Sequence, residues 1–203
     1  MRQLTSFGAL AILACLWWGT LETSTPPANP NARHTRVRIV EPFSVSGHLL
    51  PRFRNAQTIS GSCLSGSTAD QRSDAWRCNS GSRILDPCFA GRGSNFGLLC
   101  PQSPWSRVAF RLQLQQSLPY SLANHGTSAQ GIPWALELSN GGRCTFISGG
   151  TFAVAGMRLN YECSNGDVAY GGVSRGSRYW LIFVGGQPPS KVLTATHIWV
   201  AWY

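Results

Sequence analysis

The sequence predicts an all-β protein, a single antiparallel β-barrel or sandwich of about seven strands with a disulfide-stapled, loop-rich N-terminal lobe. Three observations lead there. Apolar and polar residues alternate with period two through most of the second half of the chain. Asn-Gly and glycine-rich turns separate those runs. Glycine (22) and cysteine (7) are generous, while charged residues make up only 12% of the 203. The hydrophobic share of 43% is enough for a core. Together these values exclude a coiled coil, a collagen-like fibre, global disorder and a multi-span membrane protein.

The strands follow in order. Residues 108–115 place Val108, Phe110, Leu112 and Leu114 on one face. Residues 134–138 repeat the pattern, Asn140-Gly141-Gly142 turns the chain, and residues 144–147 return. Asn-Gly between alternating runs signals a hairpin, read as a type I′ turn with positive φ at both central residues. Residues 157–163 put Met157, Leu159, Tyr161 and Cys163 on one face, and Asn165-Gly166-Asp167 leads into residues 168–170. The run 179–184 is apolar on both faces and reads as a central strand, and residues 192–203 close the chain with a long strand. Residues 68–77 suit one short turn of helix capped by Ser67.

The chain divides by composition into three parts. Residues 1–21 form a signal peptide or signal anchor: Arg2 precedes an uncharged stretch whose length lies between a secretory core and a spanning helix. Three readings of it stand open: cleavage, retention with Trp17 and Trp18 at the outer interface, or lipidation of Cys15 within Ile12-Leu13-Ala14-Cys15. Cys15 as one more apolar residue is the plainer view. Residues 22–54 read as a tether rich in proline and arginine, with 37–45 as a candidate edge strand. Residues 55–203 form the disulfide-containing β domain.

Cys63, Cys78, Cys88, Cys100, Cys144 and Cys163 remain, an even count that in an exported chain implies three disulfides. No C-x-x-C pair is present, so a zinc site is not expected. Local pairing suggests Cys63–Cys78, Cys88–Cys100 and Cys144–Cys163. Each closes a short loop and contributes roughly 2–4 kcal/mol.

Several segments carry a resemblance. Gly61-Ser62-Cys63, Asp74-Ala75-Trp76-Arg77-Cys78, Asp86-Pro87-Cys88-Phe89, Leu99-Cys100-Pro101 and Gly142-Arg143-Cys144 resemble a family of uncharacterised exported bacterial domains, actinobacteria-like and secreted or membrane-tethered. The resemblance implies bacterial origin and placement outside the cytoplasm, and it carries no activity.

The densest polar constellation is Asp70, Arg72, Asp74, Arg77 and Asp86. Two carboxylates held close can do acid–base work, as glycosidases require, so Asp70, Asp74 and Asp86 are the catalytic candidates. The plainer alternative is that they pair with arginines or cap turns. Arg72, Arg77 and Trp76 are the candidate binding residues. His125 reads as a loop residue without a G-x-S-x-G elbow, and His197 lies on the last strand, so neither suggests a triad. No cofactor or metal is expected.

The net charge is +9, and all but one of the 17 basic residues are arginines. Dispersed arginines on an exported domain favour anionic envelope polymers or a protein partner over nucleic acid. The arginine preference suits bidentate contact with phosphate or carboxylate, although a high-GC genome explains it more plainly. The sequence therefore leads to a non-catalytic extracytoplasmic module, secreted or tethered to the outer face of the cytoplasmic membrane. The alternative is an envelope-acting hydrolase using Asp74 and Asp86.

Overall fold

The computed structural model describes residues 34–91, 97–119, 123, 131–187 and 192–203. The N-terminal segment with Cys15, residues 22–33 of the expected tether, and His125 lie outside the described residues. Over the described residues the fold is all-β, 53% strand and 2% helical. Its strands are β1 (Arg36–Arg38), β2 (Gln57–Gly66), β3 (Ala75–Ser80), β4 (Arg83–Ala90), β5 (Gly97–Pro101), β6 (Ala109–Leu114), β7 (Ala135–Leu138), β8 (Arg143–Phe146), β9 (Ala153–Val154), β10 (Met157–Cys163), β11 (Val168–Arg175), β12 (Trp180–Gly185) and β13 (Thr194–Trp202). Among the described residues no helix is long and apolar enough to cross a membrane.

Strands β2 to β6 form a closed barrel. Successive strands are antiparallel, and the ring closes where β2 runs parallel to β6, from Gln57 beside Phe110 to Gly61 beside Leu114. Its interior holds Trp76, Leu85, Leu98, Phe110, Leu112 and Leu114. The part expected to be loop-rich is thus a sheet of its own. Glycine and serine weaken β2 by propensity, but ladders to both neighbours satisfy its backbone, and pairing outweighs propensity. Gly61 is required by close approach: a Cβ there would meet the Asn79 carbonyl oxygen at 2.0 Å.

The second sheet runs β1-β13-β12-β11-β10-β8-β7 and closes through β13–β7 pairing. Leu136, Leu138, Tyr161, Ile182, Ile198 and Tyr203 fill it. β13 is long enough to serve two partners along one edge. Thr194 to Ile198 pair with β12, and Val200 to Trp202 pair with β1. Thr35 sits at the junction: its Oγ1 donates to the Ile198 carbonyl at 2.6 Å and accepts from the Trp180 amide at 2.7 Å.

Four expectations need correction. The segment 34–54 packs into the fold and does not hang free as a tether. β1 joins β13, Val40 and Phe53 are buried, and Phe53 meets Leu99 and Ala109. Its spaced apolar residues find cores that composition did not reveal. Residues 68–77 form no helix. Ser67 Oγ does accept from the amides of Ala69 and Asp70, as a cap would, but Ala75 to Arg77 are claimed by the ladders of β2 and β4. β12 is central, yet Phe183 on its outer side is exposed, because a closed sheet has only one interior. Finally, the 140–142 hairpin is not type I′. Of its turn residues only Gly141 has positive φ (+85°), Gly141 N–H donates to the Leu138 carbonyl, and Leu138 N–H to that of Gly142. This is a type I turn followed by a glycine bulge. Ser164 to Asp167 repeat it, with Gly166 at φ +84°.

Cys63–Cys78 and Cys144–Cys163 join directly opposed residues of adjacent strands, and Cys88–Cys100 joins β4 to β5. Three disulfides are consistent with an oxidising, extracytoplasmic environment.

Candidate functional site

The acidic cluster lies where the two barrels meet. After β2 ends at Gly66, the chain turns through residues 67–74 before β3 begins. Ala69, Ala75 and Phe89 from the first barrel pack there against Trp134, with Val40 between and Phe146 and Trp202 alongside. Phe89 meets Trp134 edge-on at 5.9 Å.

Arg72 crosses this seam and gathers the charges. Its Nε lies 3.3 Å from Asp70 Oδ2 and 3.5 Å from Asp74 Oδ1, and its Nη1 lies 3.7 Å from Glu41 Oε1. Nη1 also donates to the Val40 carbonyl at 3.0 Å, and the guanidinium stands 4.4 Å over the Phe89 ring. Asp70 is fully buried, and its Oδ1 accepts the Arg72 amide at 3.0 Å. Burial holds the Asp70 carboxyl above the usual carboxylate range, against the opposing pull of Arg72. Nearby, Arg175 donates to Tyr203 Oη at 2.9 Å, and Tyr161 donates to the Pro133 carbonyl at 2.8 Å. Burial raises the phenol pKa of both tyrosines.

Asp86 is held separately on β4. One carboxylate oxygen accepts the Ser67 hydroxyl, and the other accepts the Thr68 hydroxyl at 2.6 Å and the Thr68 amide at 3.2 Å. Asp70, Asp74 and Arg72 therefore come together, while Asp86 anchors the turn that carries them. Arg77 stays apart, partly buried on β3 opposite Ser65. Trp76 is fully buried in the first barrel, so it is a core residue and offers no face to a ligand. His197 stacks on Tyr179 at 4.5 Å across the sheet. Among the described residues no group of three His, Cys, Asp or Glu is placed to hold a metal.

A half-open cleft of about 240 Å3 lies on the other side of Asp86. Arg83, Asp86, Gln102 and Phe110 are among its lining residues, and neither Asp70 nor Asp74 reaches it. Arg83 holds its guanidinium 4.8 Å over the Phe110 ring. The sequence reading missed Arg83 and Gln102. No local signal marks them, because the cleft arises from how β4 and β5 diverge.

No family model matches the chain, and neither does any curated protein or any solved structure.

Proposed function

We propose that the chain is a non-catalytic extracytoplasmic module of bacterial origin, secreted or tethered to the outer face of the cytoplasmic membrane, that binds anionic polymers of the cell envelope. The observation that carries this reading is the distribution of charge. Arg38, Arg83, Arg107, Arg111, Arg143 and Arg178 are exposed across both barrels, and none has a carboxylate within 4.0 Å among the described residues. Asp70, Asp74 and Asp86 are instead drawn to Arg72 or to backbone and hydroxyl donors. Unneutralised guanidinium groups attract phosphate and carboxylate, and several rest on aromatic rings, as Arg38 on Trp202 and Arg143 on Trp105.

The hydrolase reading needs two carboxylates facing one bound substrate. Asp86 lines the cleft described above, whereas Asp74 faces Arg72 and does not reach it, so nothing specific favours that reading. The test is co-sedimentation of the mature protein with purified cell-wall material at low and high salt. Binding that weakens steeply with salt is expected; absent or salt-insensitive binding counts against the proposal.

A further inference from the structure

Resting on that reading, we infer that the cleft between β4 and β5 seats one acidic sugar unit, with Arg83 as the residue that takes its anionic group. The cleft exists because two strands part. β4 and β5 pair only through Phe89–Leu99 and Ala90–Leu98. The Cys88–Cys100 disulfide clamps the point where they diverge. Beyond it, the first half of β4 stays with β3, while β5 continues along β6 to Pro101. Both walls are therefore held by ladders and a covalent link, and the gap persists without a ligand. At about 240 Å3 it falls below the range of about 300–1,000 Å3 usual for drug-sized ligands and suits a single monosaccharide unit.

The polar groups in the cleft are of two kinds. Arg83 is exposed and has no carboxylate partner among the described residues, and its stacking on Phe110 restricts where its donors point. Gln102 is exposed and supplies an amide donor and acceptor. Asp86, fixed by Ser67 and Thr68, retains acceptor capacity for hydroxyl groups. A guanidinium selects carboxylate or phosphate, whereas an aspartate repels a bare anion and accepts from hydroxyls. A polyhydroxylated unit bearing one anionic group, a uronate or a sugar phosphate, satisfies both. A neutral sugar leaves Arg83 unmatched, and an inorganic anion leaves Asp86 opposed.

Calorimetric titration of the mature protein with trigalacturonate, glucose 6-phosphate and maltotriose tests this. Binding of at least one acidic ligand is expected, and which one binds identifies carboxylate or phosphate as the group recognised; maltotriose stays unbound. Arg83→Ala should weaken binding by about tenfold, the effect of one charge-assisted hydrogen bond. Arg54→Ala, at an exposed position that is not part of the cleft lining, should leave binding unchanged. If Arg83→Ala fails to fold, Gln102→Ala takes its place, with a loss of binding expected. The assignment is overturned if neither acidic ligand binds, if maltotriose binds as well as they do, or if the cleft variant binds like the wild type. An equal loss in Arg54→Ala overturns it too. Salt-dependent sedimentation with wall material that persists under those outcomes leaves the broader function standing; its loss removes both.

Discussion

The guanidinium of Arg72 lies 4.4 Å over the ring of Phe89, and Phe89 in turn meets Trp134 edge-on at 5.9 Å. This cation–aromatic–aromatic stack spans the seam from the 67–74 turn, through β4, to the entry of β7. The same guanidinium faces Asp70 and Asp74 of its own turn and Glu41 from the segment between β1 and β2, so one side chain ties that turn to a segment distant in sequence.

Replacing Arg72 with alanine should therefore be costly. It removes the guanidinium that faces the fully buried Asp70, and breaking a buried pair from one side costs about 3–5 kcal/mol. Urea unfolding of Arg72→Ala measures this. A loss below about 1 kcal/mol, the range of exposed pairs, would show that the contact is a surface one.

Asp70 predicts a pH dependence. Burial raises its pKa above the ordinary 3.8 despite Arg72. A carboxyl that holds its proton more tightly when folded contributes most to stability below its unfolded pKa, and that contribution declines as pH rises through the folded value. Asp70→Asn resembles the protonated form and does not titrate. The stability of the wild type relative to Asp70→Asn should fall as pH rises from below 3.8 into the neutral range. Unfolding curves of both proteins across that window give the answer, and a difference that is flat or grows with pH contradicts it.

The Cys144–Cys163 bond spans 19 residues between paired strands of the second barrel. Removing it in a Cys144→Ala, Cys163→Ala variant should cost about 2–5 kcal/mol. A fall in the thermal midpoint of unfolding, compared under non-reducing conditions, is the readout.

Gly61 leaves no room for a side chain, since a Cβ would also meet Leu112 Cδ1 at 2.8 Å. Gly61→Ala must push β2 from β3 or displace Leu112, and overpacking of this kind costs about 1–3 kcal/mol. Loss of amide exchange protection confined to β2 and β3 would locate the damage.

The second half of the fold was legible because its strands obey period two and its turns carry glycine where positive φ is needed, at Gly141 and Gly166. The turn type was misread because Asn-Gly serves a glycine bulge as well as a type I′ turn, and the two differ by where the ladder resumes. The first half was harder. β2 reads Gln-Thr-Ile-Ser-Gly-Ser-Cys-Leu-Ser-Gly, with little alternation, and only its neighbours β3 and β6 make it a strand. Of the candidate site, the grouping of Asp70, Arg72 and Asp74 could be read from proximity in the chain. The addition of Glu41 and Val40 could not, because they arrive from a segment that composition marks as a tether.

Local chemistry in the chain itself thus settled the all-β class, the abundance of arginine and the cysteines available for crosslinking, because each depends on residue type and on periods of two to four residues. Tertiary structure alone decided that there are two closed sheets, that Trp76 is core, that Asp86 serves Ser67 and Thr68, and that β4 and β5 part to leave a cleft. Those outcomes turn on which distant backbones pair, and pairing is set by the burial and hydrogen bonding of the whole molecule, to which no short window of sequence has access.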